Sequence, residues 1–310
     1  MRFLTGLSRL GQGRPSASST KEPSIRKRRF SPGTTSLPPS RRNAATISAI
    51  LAVLMVGGNI PAASAGTVTS TIRVGPNPVG VAFSPDGSKA YVTSHGSDTV
   101  SVIDVASGTA SSAIPVGDAP TSVAFTPDGS KAYVTNQISG TVSVVDVASG
   151  TVTSTIPVGD GAYGVAVSPD ASKAYVTNNR SDTVSVIKVL SGTLTSTIPV
   201  SAIPRNVAFS PDGLRAYVIS SGVDVIDVAS GTVISTISVG QNPFGVAFTP
   251  DGSKAYVTNF GSSGTHTVSV IDAASGTVRS TIPVGSGPMN VAITPDGSTA
   301  YVANYFSHSV

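Results

Sequence analysis

The 310 residues contain no Cys and one Glu, Glu22. Nucleophilic and acid–base chemistry would draw first on Ser, Asp and three histidines, His95, His266 and His308. Without Cys there is no disulfide, thiolate metal site, thioether-linked haem or Cys nucleophile. Asp86, Asp128, Asp170, Asp212, Asp251 and Asp296 each follow a Pro. An Asp there accepts hydrogen bonds from its own turn, which explains it without a metal. These six come one per repeat, too far apart to share an ion. Asp104, Asp146, Asp227 and Asp272 recur at a second place, where the third unit has Lys188. Polar contacts between neighbouring units are expected of them. His266 and His308 precede equivalent segments, but a two-His site needs both rings on one ion. They are read as solvated loop residues. Ser is too abundant for spacing to reveal a Ser–His–Asp set, and no Gly-x-Ser-x-Gly elbow is present. No catalytic residue, metal site or cofactor is expected.

The elements that must position these residues come from a repeat. Its most regular core reads Gly-Val-Ala-Phe-Ser/Thr-Pro-Asp-Gly-Ser-Lys-Ala-Tyr-Val-Thr-Asn. The Tyr returns at Tyr91, Tyr133, Tyr175, Tyr217, Tyr256 and Tyr301, at spacings of 42, 42, 42, 39 and 45. A period of roughly 40–45 residues with short β-branched segments indicates propeller blades. Helical repeats would need amphipathic runs of about ten residues, and none occurs. In the first unit the expected strands are A (79–83), B (89–93), C (100–105) and D (110–116). Ser84-Pro85-Asp86-Gly87 and Ala106-Ser107-Gly108-Thr109 are tight turns, so the strands they join are antiparallel neighbours. Paired apolar residues such as Val102-Ile103 suit sheets covered on both faces. The expected fold is all-β, a propeller of about six four-stranded blades.

Tyr133-Val134-Thr135-Asn136, Tyr175-Val176-Thr177-Asn178 and Tyr256-Val257-Thr258-Asn259 carry a motif by which the chain resembles the YVTN family of β-propeller repeat proteins. Tyr91-Val92-Thr93-Ser94, Tyr217-Val218-Ile219-Ser220 and Tyr301-Val302-Ala303-Asn304 are altered copies. The resemblance spans residues 67–310. It implies a secreted or cell-surface protein, often seven-bladed, and says little about function.

The last unit supplies only A and B before Val310. Residues 67–74 read as an extra D strand, which would close the ring on a C strand that is missing. Either the chain is truncated, the favoured reading, or this strand slides inward to make a three-stranded last blade.

Alternating strands put the A–B and C–D turns on one face of the disc and the B–C and D–A loops on the other. The first face is monotonous and the second differs between units. Individual function needs individual residues, so the variable face is the candidate binding face. Its set is Asn77, Tyr163, Asn179, Arg180, Arg205, Phe244, Phe260, Tyr305 and Phe306.

The net charge of +4 is split: residues 1–65 hold ten Lys/Arg and Glu22, and residues 66–310 hold ten Lys/Arg and fifteen Asp. The repeat region is thus mildly acidic, with no basic face for nucleic acid. Arg26-Lys27-Arg28-Arg29, an apolar stretch over 44–56 and Ala63-Ser64-Ala65 describe an export signal cleaved after Ala65. Ser40-Arg41-Arg42 begins like a twin-arginine signal but lacks the following bulky apolar pair. The apolar stretch is too short to span a bilayer, so no stable membrane span is expected after cleavage.

The functional expectation is an exported, non-enzymatic binding or scaffold protein of the envelope or extracellular space. An envelope protein or a surface glycan is the expected partner, and a monomer if the ring closes. The alternative is a lactonase-like hydrolase or a lyase with its site at the channel mouth. Propellers resembling gluconolactonases use a Glu-containing metal site, which residues 66–310 cannot build with Glu.

Overall fold

The computed structural model describes residues 70–310, Ser263 and Gly264 excepted. The expected export signal over 1–65 lies outside the described residues. The first sheet is β1 (Pro78–Phe83), β2 (Lys89–Ser94), β3 (Thr99–Asp104) and β4 (Thr109–Pro115), paired antiparallel in that order. Four more four-stranded sheets follow, β5–β8 over residues 120–157, β9–β12 over 162–199, β13–β16 over 206–237 and β17–β20 over 243–283. A two-stranded sheet follows them, β21 (Pro288–Ile293) with β22 (Ala300–Asn304). Every described element is a strand. The molecule is a β-propeller, and the expected strand limits hold to within a residue in the first unit. The extra strand over 67–74 does not form across its described part, residues 70–74. Instead Ile72 and Val74 pack beside Ala90, Val92 and Ile103 of the first sheet. No third strand joins β21 and β22 among the described residues.

Local sequence explains each sheet. Gly87 holds φ 69° in the first Pro-Asp-Gly turn, a conformation that favours Gly. Asp86 accepts from Ser84 Oγ, Ser88 Oγ and Ser88 N. The same carboxylate-centred turn recurs at Asp128, Asp251 and Asp296. These hydrogen bonds lower the pKa of Asp86, Asp251 and Asp296 to about 2, led by the hydroxyl of the turn's first residue.

The core lies between sheets. Tyr91, Tyr133, Tyr175 and Tyr217 are fully buried. Tyr91 packs on Phe125 of the next sheet at 4.8 Å between ring centroids, Tyr175 on Phe209 at 4.8 Å and Tyr217 on Phe248 at 4.7 Å. Such aromatic pairs add about 0.5–1.5 kcal/mol beyond the area they bury. Desolvation pushes the Tyr175 phenol up to about 12.

The motif Thr fastens one sheet to the next. A bulge in the first strand of a unit leaves one N–H without a ladder partner. Thr177 Oγ1 accepts that N–H from Gly164 at 2.8 Å and donates to Arg205 O of the following sheet at 3.0 Å. Thr135 and Thr258 repeat this, bonding Tyr163 O and Met289 O. A Cβ on Gly164 would lie 2.5 Å from Arg205 O, so first strands meet here more closely than a side chain permits. First strands of successive units contact one another, so they are the innermost strands. The motif Asn donates within its own sheet, Asn178 Nδ2 to Thr183 Oγ1 and Ser185 Oγ, both at 3.0 Å.

The fourth unit departs from this pattern, and its changes compensate one another. Ser220 replaces the Asn, and Asp224 stands where other units have Ser. Asp224 is fully buried and accepts from Ser201 N, Ser201 Oγ, Ser220 Oγ and Thr236 Oγ1. Four donors offset the desolvation of the carboxylate.

The first and last sheets each present an uncovered face. Val79 and Val81 of β1 are 44% and 37% exposed, and Tyr301 of β22 is 51% exposed. Their counterparts Val123, Val165 and Tyr175 are buried.

Candidate functional site

The variable face is built on one residue per unit with positive φ. Asn77, Ala119, Gly161, Ile203, Asn242 and Gly287 all adopt it. In five units the carbonyl of that residue accepts the first N–H of the B–C loop, as His95 N to Asn77 O and Phe260 N to Asn242 O. The D–A and B–C loops are thereby locked together on one face, as the alternation of strands requires. Ile203 holds φ 57°, which is costly for a β-branched residue. Its N–H is held by Asp182 Oδ1 at 2.8 Å.

The residue two places after the positive-φ position lies at the start of the unit's innermost strand. In the third, fourth and fifth units it is Tyr163, Arg205 and Phe244. The Arg205 guanidinium lies 5.3 Å from the Phe244 ring centroid, within cation–π range. Tyr163 meets Phe244 edge-on at 6.3 Å. These two rings belong to sheets that are not adjacent, so they meet only by converging toward the axis over the sheet of Arg205. Arg205 makes no ion pair among the described residues. Burial raises the Tyr163 pKa, and the nearby Arg205 charge partly opposes the shift. A half-buried guanidinium over the Phe244 ring, without an ion-pair partner among the described residues, can hold an anion in a partly desolvated setting.

A second cluster joins the fifth and sixth units. Phe306 packs on Phe260 at 5.4 Å and on Tyr305 at 5.1 Å. Beside them His266 Nδ1 lies 2.7 Å from Phe260 O, and Nε2 lies 3.0 Å from Ser286 Oγ. His266 is therefore a pinned residue and not the freely solvated one expected. His308 is exposed and has no such partners among the described residues. Spacing could not have paired Ser286 with His266, because the contact crosses from one sheet to the next.

The remaining candidates do not join either cluster. Asn77 is exposed and serves through its backbone carbonyl. Arg180 pairs with Asp160 at 3.7 Å, with both side chains more than half exposed. Asn179 bonds Gly161 O through its N–H. The strand-C aspartates also differ from expectation. Asp104 accepts from Ser107 N and Oγ within its own hairpin, and Asp146, Asp227 and Asp272 do likewise. The contact between units comes from lysine instead: Lys89 Nζ donates to Val147 O and Lys173 Nζ to Val228 O. Among the described residues, no group of three His, Asp or Glu is placed to hold a metal ion.

A family model described as "Lactonase, 7-bladed beta-propeller" matches residues 73–230. The chain belongs to that family. The match covers the first three units and the fourth up to its last strand, including Tyr163 and Arg205. No curated protein matches the chain. Among solved structures, this lactonase-family propeller is similar to a chain of Kuenenia stuttgartiensis hydrazine synthase, 25% identical with a TM-score of 0.63. The similarity covers 79% of this chain and 97% of that one. A provisionally assigned 6-phosphogluconolactonase from Bacteroides uniformis is 22% identical with a TM-score of 0.66, over 75% of this chain and 79% of that one. At that identity it reports the fold alone. Family membership overturns the expectation of a non-enzymatic binding or scaffold protein. The reason lies in the type of signal: the repeated motifs encode blade packing, which enzymes and scaffolds share, so motif content could not separate them.

Proposed function

We propose that this lactonase-family propeller is a hydrolase that opens a cyclic ester carrying a negative charge, with its site on the variable face at the channel mouth. The observation that carries the reading is Arg205, unpaired and stacked on Phe244, with Tyr163 edge-on to the same ring. The rings supply flat apolar walls for a lactone ring, and the guanidinium supplies a partner for a carboxylate or phosphate substituent. Water adds across the ester carbonyl, the ring C–O bond breaks, and a hydroxy acid leaves. The YVTN-like repeat and the basic-then-apolar leader support a location outside the cytoplasm.

The test is a panel of charged and neutral lactones, assayed with the wild-type chain and with Arg205→Gln. Loss of a charge-assisted pair should raise KM for the charged lactones about 10-fold or more and leave the neutral ones nearly unchanged. Absence of turnover on the whole panel would overturn the proposal. An equal effect of Arg205→Gln on charged and neutral substrates would overturn the assignment of Arg205.

A further inference from the structure

The pairing of His266 with Ser286 stands out against the other units. The residue just before the third strand of a unit can reach the D–A loop of the next unit, though the second and fourth units have Gly140 and Gly222 there. In the first and third units it is an aspartate: Asp98 Oδ1 accepts from Ala119 N and Asp182 Oδ1 from Ile203 N, both at 2.8 Å. These are structural staples, carboxylate to backbone. In the fifth unit the same position is His266, and it reaches a side chain, Ser286 Oγ, at 3.0 Å. Ser286 is also particular to its unit, for its counterparts are Pro76, Asp118, Asp160, Ala202 and Gln241. The fifth-to-sixth junction thus pairs an imidazole with a hydroxyl where the first and third junctions pair a carboxylate with a backbone N–H.

The hydrogen bonds settle which ring nitrogen faces the serine. A carbonyl oxygen only accepts, so the contact with Phe260 O at 2.7 Å puts the ring proton on Nδ1. In the neutral ring Nε2 then offers its lone pair to the Ser286 hydroxyl. The Phe260 carbonyl orients the imidazole, the part played by a carboxylate in a Ser–His–Asp triad. Ser286 is held as well: its carbonyl accepts Phe306 N at 2.9 Å and Ser307 N at 3.2 Å. Gly287, with φ 71°, leaves room beside it that the Phe306 ring fills. Both Ser286 and His266 are partly exposed, so a substrate can reach them.

We propose that Ser286 is the nucleophile and His266 the general base of an acyl-transfer site. As a lactonase site the proposal rests on the hydrolase reading above. Ser286 Oγ bonds to the ester carbonyl carbon and its proton passes to His266 Nε2. The tetrahedral adduct collapses, the ring C–O bond breaks, and the departing oxygen takes the proton from Nε2. An open hydroxyacyl group is left on Ser286. Water then attacks this ester, giving its proton to Nε2, and Ser286 Oγ leaves and is reprotonated. The sum is lactone plus water to hydroxy acid.

The test is labelling of the full chain with a fluorophosphonate probe, located by peptide mass spectrometry, alongside lactone turnover. The expected adduct is on Ser286. It disappears in Ser286→Ala and forms about 100-fold or more slowly in His266→Gln. Gln can still bond both Phe260 O and Ser286 Oγ, so a purely structural bridge predicts no change in labelling. Circular dichroism and melting of both variants establish that they fold. No adduct on Ser286, or an unchanged rate in His266→Gln, would refute the dyad. Lactone turnover surviving in Ser286→Ala would also refute it and leave the hydrolase reading standing. Labelling of Ser286 without turnover of any lactone would support the dyad and overturn the substrate class.

Discussion

Replacing Thr177 with Val removes one hydroxyl and keeps the shape of the side chain. Thr177 is fully buried. Its Oγ1 accepts Gly164 N at 2.8 Å and donates to Arg205 O at 3.0 Å. Val leaves one backbone N–H and one backbone carbonyl unpaired where two sheets meet. Each orphaned buried group costs about 1–3 kcal/mol, and partial relaxation brings the pair to about 2–4 kcal/mol. For a domain of this size that is a fall in Tm of roughly 4–16 °C. Thr177→Ser keeps both hydrogen bonds and loses one methyl group, a change worth about 0.5–1.5 kcal/mol. Urea titration and thermal melting of the three proteins give the comparison. The expected order of stability is wild type, then Ser, then Val. The Val variant should also bind charged lactones more weakly, because the carbonyl that anchors Arg205 is released. A Val variant as stable as the Ser variant would refute the reasoning, since it would mean that the hydroxyl does not carry the contact between the sheets.

Acid should unfold the protein through its turns. Asp86, Asp251 and Asp296 have folded pKa values of about 2, against 3.8 for the free side chain. A depressed carboxylate contributes its stability above the unfolded value and loses it as pH falls through the folded one. Melting temperature should thus be flat above about pH 5 and fall between about pH 4 and pH 2, less steeply in a triple Asp→Asn variant. At Asp224, Asn would turn an amide donor toward hydroxyls and an N–H that all donate to the carboxylate. A loss of about 2–3 kcal/mol is expected by denaturant titration, and a silent Asp224→Asn would contradict four donors converging there.

The arrangement of the blades was legible in the sequence because it is repeated. Each unit states the same pattern of turn, buried Tyr and strand, so errors in one copy are corrected by the others. Pro-Asp-Gly turns and β-branched runs act over a few residues, and local chemistry settles them. The motif Thr shows where local reading stops. Its letter repeats, but its use as a clamp appears only when the next sheet brings the carbonyl of Arg205 alongside. The strand-C aspartates show the reverse. They were expected to reach between units, yet Ser107 lies three residues beyond Asp104 and captures it at once. The place of the leading segment also depended on distant contacts: Ile72 and Val74 pack on the face of the first sheet, and residues 70–74 do not join the edge of the last.

The candidate site divides along the same line. The sequence by itself pointed to the variable face as the candidate site, since the units differ most there, and it named Tyr163, Arg205 and Phe244 among nine candidates. That these three converge, while Arg180 and Asn77 stay apart, was decided by the curvature that carries alternate sheets toward one axis. The Ser286–His266 pair lay beyond sequence reading altogether. Neither residue belongs to a motif, and twenty residues separate them along the chain. Only the packing of the fifth sheet on the sixth brings an imidazole nitrogen within 3.0 Å of a hydroxyl. Repetition encodes how blades form and stack, whereas a site is made of exceptions to the repeat, and three-dimensional proximity alone tells which exceptions act together.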